Sequence, residues 1–92
     1  MEPNDQIILQ DPRFSMNMHG GFKNDIWALR GFVYDHPTVG NGTVFVSTPK
    51  SYDQETKILV TYSGRRYLLI DPSAETEDEI FKVIERGAYS YH

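Results

Sequence analysis

Lys57-Ile58-Leu59-Val60-Thr61-Tyr62-Ser63-Gly64-Arg65-Arg66-Tyr67-Leu68-Leu69-Ile70 is the stretch that decides the fold. Two runs rich in branched and aromatic residues flank Ser63-Gly64, a pair suited to a two-residue hairpin turn. That turn predicts Tyr62 opposite Arg65, Val60 opposite Tyr67 and Ile58 opposite Leu69 on one face. Thr61 then meets Arg66, and Leu59 meets Leu68, on the other. A slip of one residue would send every side chain to the opposite face, so the expectation is sharp.

Working outward toward the N-terminus, Thr43 to Thr48 reads as a strand ended by Pro49, and residues 49–56 as a polar loop. Asp35-His36-Pro37-Thr38-Val39-Gly40-Asn41-Gly42 is a run of turn residues. Ile26 to Tyr34 is strongly strand-forming. Trp27, Leu29 and Val33 fall on one face of it, and Ile26, Ala28, Phe32 and Tyr34 on the other. Gly31 in its middle marks a bulge or sharp bend. Gln6 to Leu9 is a short apolar run fit for an edge strand. Residues 10–24 read as a loop, with Phe14, Met16, Met18 and Phe22 as anchors onto the core.

Toward the C-terminus, Asp71-Pro72 breaks the sheet. A helix then starts at Ser73, or one turn later at Thr76 with Glu79 as a capping box. Ile80, Phe81, Val83 and Ile84 supply its apolar stripe and Gly87 its stop. The expected architecture is mainly β (α+β): a small SH3-like, partly open antiparallel barrel of four to five strands with one C-terminal helix. It forms a single domain, with 1–24 as weak strand and loop, 25–70 as a four-stranded meander, 73–87 as helix and 88–92 as tail.

Composition narrows the function. The 92 residues carry nine Lys/Arg and thirteen Asp/Glu, a formal charge of −4, with 39% hydrophobic and 13% aromatic residues. This is a globular balance. With no cysteine, thiolate zinc sites, disulfides and thiol nucleophiles are excluded. The apolar runs are too short to span a membrane as helices, and the polar start, Met1 to Asp5, does not read as a secretory leader. A cytoplasmic location is the expectation. Asp71, Glu75, Glu77, Asp78, Glu79 and Glu85 against Lys82 and Arg86 account for the whole net charge, so the body is neutral and the end acidic.

No motif carries enzyme chemistry. There is no Gly-Lys pair for a phosphate loop, and Gly40-Asn41-Gly42 runs into Phe45 where a dinucleotide fingerprint needs glycine. No serine sits in a nucleophile elbow. His19, His36 and His92 have no zinc-motif spacing, and no cofactor or metal is called for. Asp35 with His36 has the residue types for acid–base work, but in this context it reads first as a turn. Asn41-Gly42-Thr43 matches a glycosylation pattern and is read as a turn as well.

Two clusters suggest binding. Glu75, Glu77, Asp78 and Glu79, with the nearby aromatics Tyr89 and Tyr91, fit a basic protein partner. Arg65, Arg66, Tyr62 and Tyr67, extended by Arg30 and Lys57, would suit nucleic acid through stacking and phosphate contacts. Exposed barrel edges leave room for a homodimer.

Leu29-Arg30-Gly31-Phe32-Val33-Tyr34-Asp35-His36-Pro37, Gly42-Thr43-Val44-Phe45-Val46-Ser47-Thr48-Pro49 and Val60-Thr61-Tyr62-Ser63-Gly64-Arg65-Arg66-Tyr67-Leu68-Leu69 together resemble small uncharacterised proteins of bacteriophages and integrated elements. The resemblance covers under half of the chain and brings no catalytic residues. It implies a phage accessory protein in the host cytoplasm that binds and blocks a host factor, as anti-CRISPR proteins do. The first reading is therefore a non-enzymatic binding protein that masks a host defence or nucleic-acid-binding protein. The alternative is a small nucleic-acid-binding module using the Arg65/Arg66 hairpin.

Overall fold

The computed structural model describes residues 6–17, 26–37 and 39–91. Met18 and Phe22, expected as core anchors, lie outside these residues, as do His19 and His92. Among the described residues, seven strands and one helix follow in the order β1 (Gln6–Asn17), β2 (Ile26–His36), β3 (Gly40–Phe45), β4 (Pro49–Asp53), β5 (Ile58–Thr61), β6 (Arg66–Leu69), α1 (Ala74–Arg86) and β7 (Ser90–Tyr91). They form a small, mainly β domain with one C-terminal helix.

The hydrogen-bonded path runs β3-β2-β1-β6-β5-β4, and β7 pairs with β2 off this path. It is an open sheet rather than a closed barrel. It also replaces the expected all-antiparallel meander, because β1 is inserted between β2 and β6 and runs parallel to β6. Gln6 to Leu9 pair with Arg66 to Leu69, and Gln10 to Asn17 then pair antiparallel with β2. Residues 10–17, expected as loop, are therefore strand. The change of partner occurs at a bulge: Asp11 has φ 52° and the register shifts between Gln10 and Arg13. Pro12 tolerates this position because a bulge releases one backbone donor from the ladder.

Gly31 is the counterpart of that bend. A Cβ there would lie 2.6 Å from the Leu9 side chain and 2.8 Å from the Gln10 carbonyl oxygen. Only glycine lets β1 cross so closely over β2.

The β5–β6 hairpin exists, but one residue away from the expected register. Leu59 faces Tyr67, Val60 faces Arg66 and Ile58 faces Leu68. The connection is a three-residue loop, Tyr62 to Gly64. The Thr61 N–H donates to the Arg65 carbonyl at 3.0 Å, and the Gly64 N–H to the Thr61 carbonyl at 3.0 Å. Gly64 takes the left-handed conformation, φ 93°, that three-residue loops favour. The Thr61 hydroxyl accepts from the Arg65 N–H at 3.2 Å. As a result Leu59, Thr61, Tyr67 and Leu69 share the buried face.

Pro49–Asp53, also expected as loop, is strand β4. Proline is acceptable as a first strand residue, and Tyr52 turns inward while Lys50, Ser51 and Asp53 stay exposed. Leu9, Leu29, Val33, Leu59, Leu69 and Ile80 are wholly buried and form the core with Val44, Val46 and Tyr67.

Helix α1 contributes Ile80 and Val83 to the interior. Ser73 is its cap, accepting from the Thr76 N–H at 3.1 Å. Gly87, at φ 81°, ends it and donates to the Val83 carbonyl at 2.8 Å. Phe81, expected on the buried stripe, is partly exposed and leans on the Tyr52 ring at 5.5 Å.

Candidate partner-binding groove

Continuing the parallel β1–β6 register past Leu9 and Leu69 sets Asp11 level with Asp71. The ladder still holds one residue before them, where the Ile70 N–H donates to the Leu9 carbonyl at 3.0 Å. Asp11, at the β1 bulge, and Asp71, just past β6, both take the left-handed region, with φ 52° and 48°, a conformation aspartate tolerates better than most residues. Two acids sixty positions apart in sequence thus border one cleft, of about 700 Å³, between the β1 bend and the first turns of α1.

Phe14 and Trp27 line this cleft. Their rings stack at 6.4 Å with 24° between planes, and Tyr89 meets Phe14 edge-on at 6.1 Å. Glu75, Asp78 and Glu79 of α1 complete five carboxylates against two cations, Arg13 and Lys82. Both cations are engaged: Arg13 binds Asp11 at 2.5 Å and Lys82 lies 3.6 Å from Glu79. Asp71, Glu75 and Asp78 have no ion pair among the described residues. Helix-dipole chemistry explains an acid such as Glu75 in a first turn, but it does not explain why Asp11 and Asp71, from other elements, face the same space.

Of the acids singled out from sequence, Glu75, Asp78 and Glu79 therefore line the groove. Glu77 does not. It faces inward, where its Oε2 accepts from the Tyr52 hydroxyl at 2.6 Å and from Lys57 Nζ at 2.7 Å, and its Oε1 accepts from Gln54 at 3.2 Å. The Lys57 hydrogen bond, then that of Tyr52, holds the carboxyl below its ordinary value against the opposing effect of burial. Glu77 fastens α1 to the β4–β5 turn. Tyr89 is likewise engaged, donating to the Val46 carbonyl at 2.7 Å, and burial pushes its phenol pKa up. The Tyr91 backbone pairs with Ile26, while its side chain lies outside the described residues.

The basic–aromatic cluster does not form one platform. Tyr67 is buried, whereas Arg66 is on the outer face of the same strand. Tyr62 is exposed on the hairpin loop and Arg65 is half-buried at its base. The Lys57 ammonium is spent on Glu77. Arg30 lies on β2, separated from β6 by β1. Strand alternation and strand order disperse what sequence proximity had suggested.

His36 is buried behind a second bulge, where Asp35 has φ 56°. Its Nδ1 accepts from the Val39 N–H at 3.3 Å and its Nε2 lies 3.3 Å from the Tyr67 hydroxyl. Burial, then the charge of Arg65, lowers its pKa. Asp35 contributes its N–H to the turn, donating to the Asn41 side chain at 3.0 Å.

No family model, curated protein or solved structure matches this chain. Among the described residues, no three His, Cys, Asp or Glu side chains cluster as metal ligands, and no helix is long and apolar enough to cross a membrane. Sequence reasoning missed Asp11, Asp71, Phe14 and Trp27 as groove residues. The signal that could have found Asp11 is Asp-Pro closing an apolar run, separated by Gln10 from Ile7-Ile8-Leu9, a pattern repeated at Asp71-Pro72 after Leu68-Leu69-Ile70.

Proposed function

We propose that this chain is a non-enzymatic binding protein whose groove takes a basic segment of a protein partner. The observation that carries this reading is the convergence of Asp11, Asp71 and the α1 acids over the Phe14–Trp27 pair. An arginine or lysine side chain entering the groove gains carboxylate partners at its head and aromatic faces along its stem. The surplus of negative charge steers such a partner in and turns acidic ones away. A nucleic-acid-binding host protein presents a surface of this kind. Masking one is the role we assign, in line with the resemblance to phage accessory proteins.

The test is calorimetric titration of a lysine- and arginine-rich peptide into the wild-type protein and into the triple variant Asp71→Lys, Glu75→Lys, Asp78→Lys. Binding that weakens about a hundredfold or more in the variant, at about 1–3 kcal/mol for charges facing a bound cation, is the expected result. Equal binding by both proteins would reject the groove.

A further inference from the structure

The second feature lies where the chain passes from β3 toward β4 and the hydrogen-bonded path ends. A cleft of about 440 Å³ there is bordered by Arg65, Tyr67, His36, Thr43 and Ser47, and no carboxylate lines it. In a chain of net charge −4, a cleft that offers a cation and a phenol without an acid is unlike the groove above. Arg65 is anchored through its backbone, which exchanges hydrogen bonds with Thr61. Its half-buried guanidinium has no ion pair or hydrogen bond among the described residues. Asp35 borders the neighbouring depression with Arg65 but makes no ion pair with it.

The hydroxyl of Tyr67 is held ready as a donor. The Val39 N–H occupies His36 Nδ1, so a neutral imidazole carries its proton on Nε2 and donates it to the Tyr67 oxygen. The phenolic proton is then free to point at a ligand. Burial favours this neutral form of His36. Five guanidinium donors and an oriented phenol match the acceptor oxygens of an oxyanion.

We propose that the Arg65–Tyr67 cleft binds an oxyanion, the phosphoryl or carboxylate group of a ligand. This site is separate from the acidic groove and stands or falls without it.

The experiment is NMR titration of isotopically labelled protein with inorganic phosphate and, separately, acetate, with chloride adjusted to constant ionic strength. The wild type is expected to show saturable shifts of the Arg65 side-chain N–H and the His36 ring, and the tighter of the two anions identifies the group. Arg65→Gln should weaken binding by about tenfold or more and Tyr67→Phe by several-fold, as loss of a charge-assisted and a neutral hydrogen bond implies. Arg66→Gln, on the outer face, should match the wild type. Both Arg side chains are outside the core, so the variants keep the native amide spectrum. Shifts that fail to saturate with either anion, or that persist unchanged in Arg65→Gln, would overturn the proposal.

Discussion

Glu75 and Glu77 sit two residues apart on the same helix turn, and the fold uses them in opposite ways. Glu77 faces the sheet and takes three hydrogen bonds from Tyr52, Lys57 and Gln54. Glu75 faces the groove and has no ion pair among the described residues. A step of two residues turns a helix by about 200°, so the neighbours of one are the solvent of the other. The difference teaches that an acidic run is not one surface. Donors supplied by β4 and the turn after it decide which carboxylate builds the protein and which remains to meet a partner.

The comparison breaks most visibly if Glu77 is removed. Glu77→Ala leaves the buried Tyr52 hydroxyl and the Lys57 ammonium without their acceptor. The cost should be about 2–3 kcal/mol, or a fall in Tm of roughly 10–20 °C, readable by thermal denaturation. A fall of only a degree or two would place Glu77 with the surface acids.

Acid titration sharpens the same point. The folded pKa of Glu77 lies below the ordinary value of 4.5, so the unfolded chain binds the proton more readily. Its contribution to stability is whole above about pH 4.5 and is lost as the pH falls through the lowered folded value. Chemical denaturation of Glu77→Gln should therefore show a shallower loss of stability than the wild type between about pH 5 and about pH 3. Parallel curves would contradict the assignment. The smallest effect is expected at Glu75. Glu75→Lys forfeits a favourable helix-dipole contact worth about 0.3–1 kcal/mol and should leave the melting curve nearly in place while weakening peptide binding.

Much of the architecture was legible locally. Ser73 and Gly87 bracket α1 because capping is a short-range preference, and Gly31 announced a sharp feature where two backbones cross. The hairpin was legible in place but not in register. A two-residue and a three-residue loop both end on Gly64, and only the Thr61 hydrogen bonds to Arg65 select the longer one. Strand β4 was hidden because Tyr52 and Pro49 are its only inward signals among polar neighbours. The groove was half legible. Glu75, Asp78 and Glu79 are adjacent in sequence, but Asp11 and Asp71 meet only through the parallel pairing of β1 with β6, a contact no local pattern encodes. The same non-local order dispersed Arg30, Lys57, Arg66 and Tyr67.

Trp27 is the chain's only tryptophan, and it lines the groove, so its emission reports directly on the central claim. Titrating a lysine- and arginine-rich peptide should change that emission saturably. The change should weaken as salt is raised, because exposed charge pairs are screened over about 10 Å at 0.1 M, and it should vanish in the Asp71/Glu75/Asp78 reversal. An emission spectrum that ignores the peptide, or that responds equally in the reversed variant, would contradict the account.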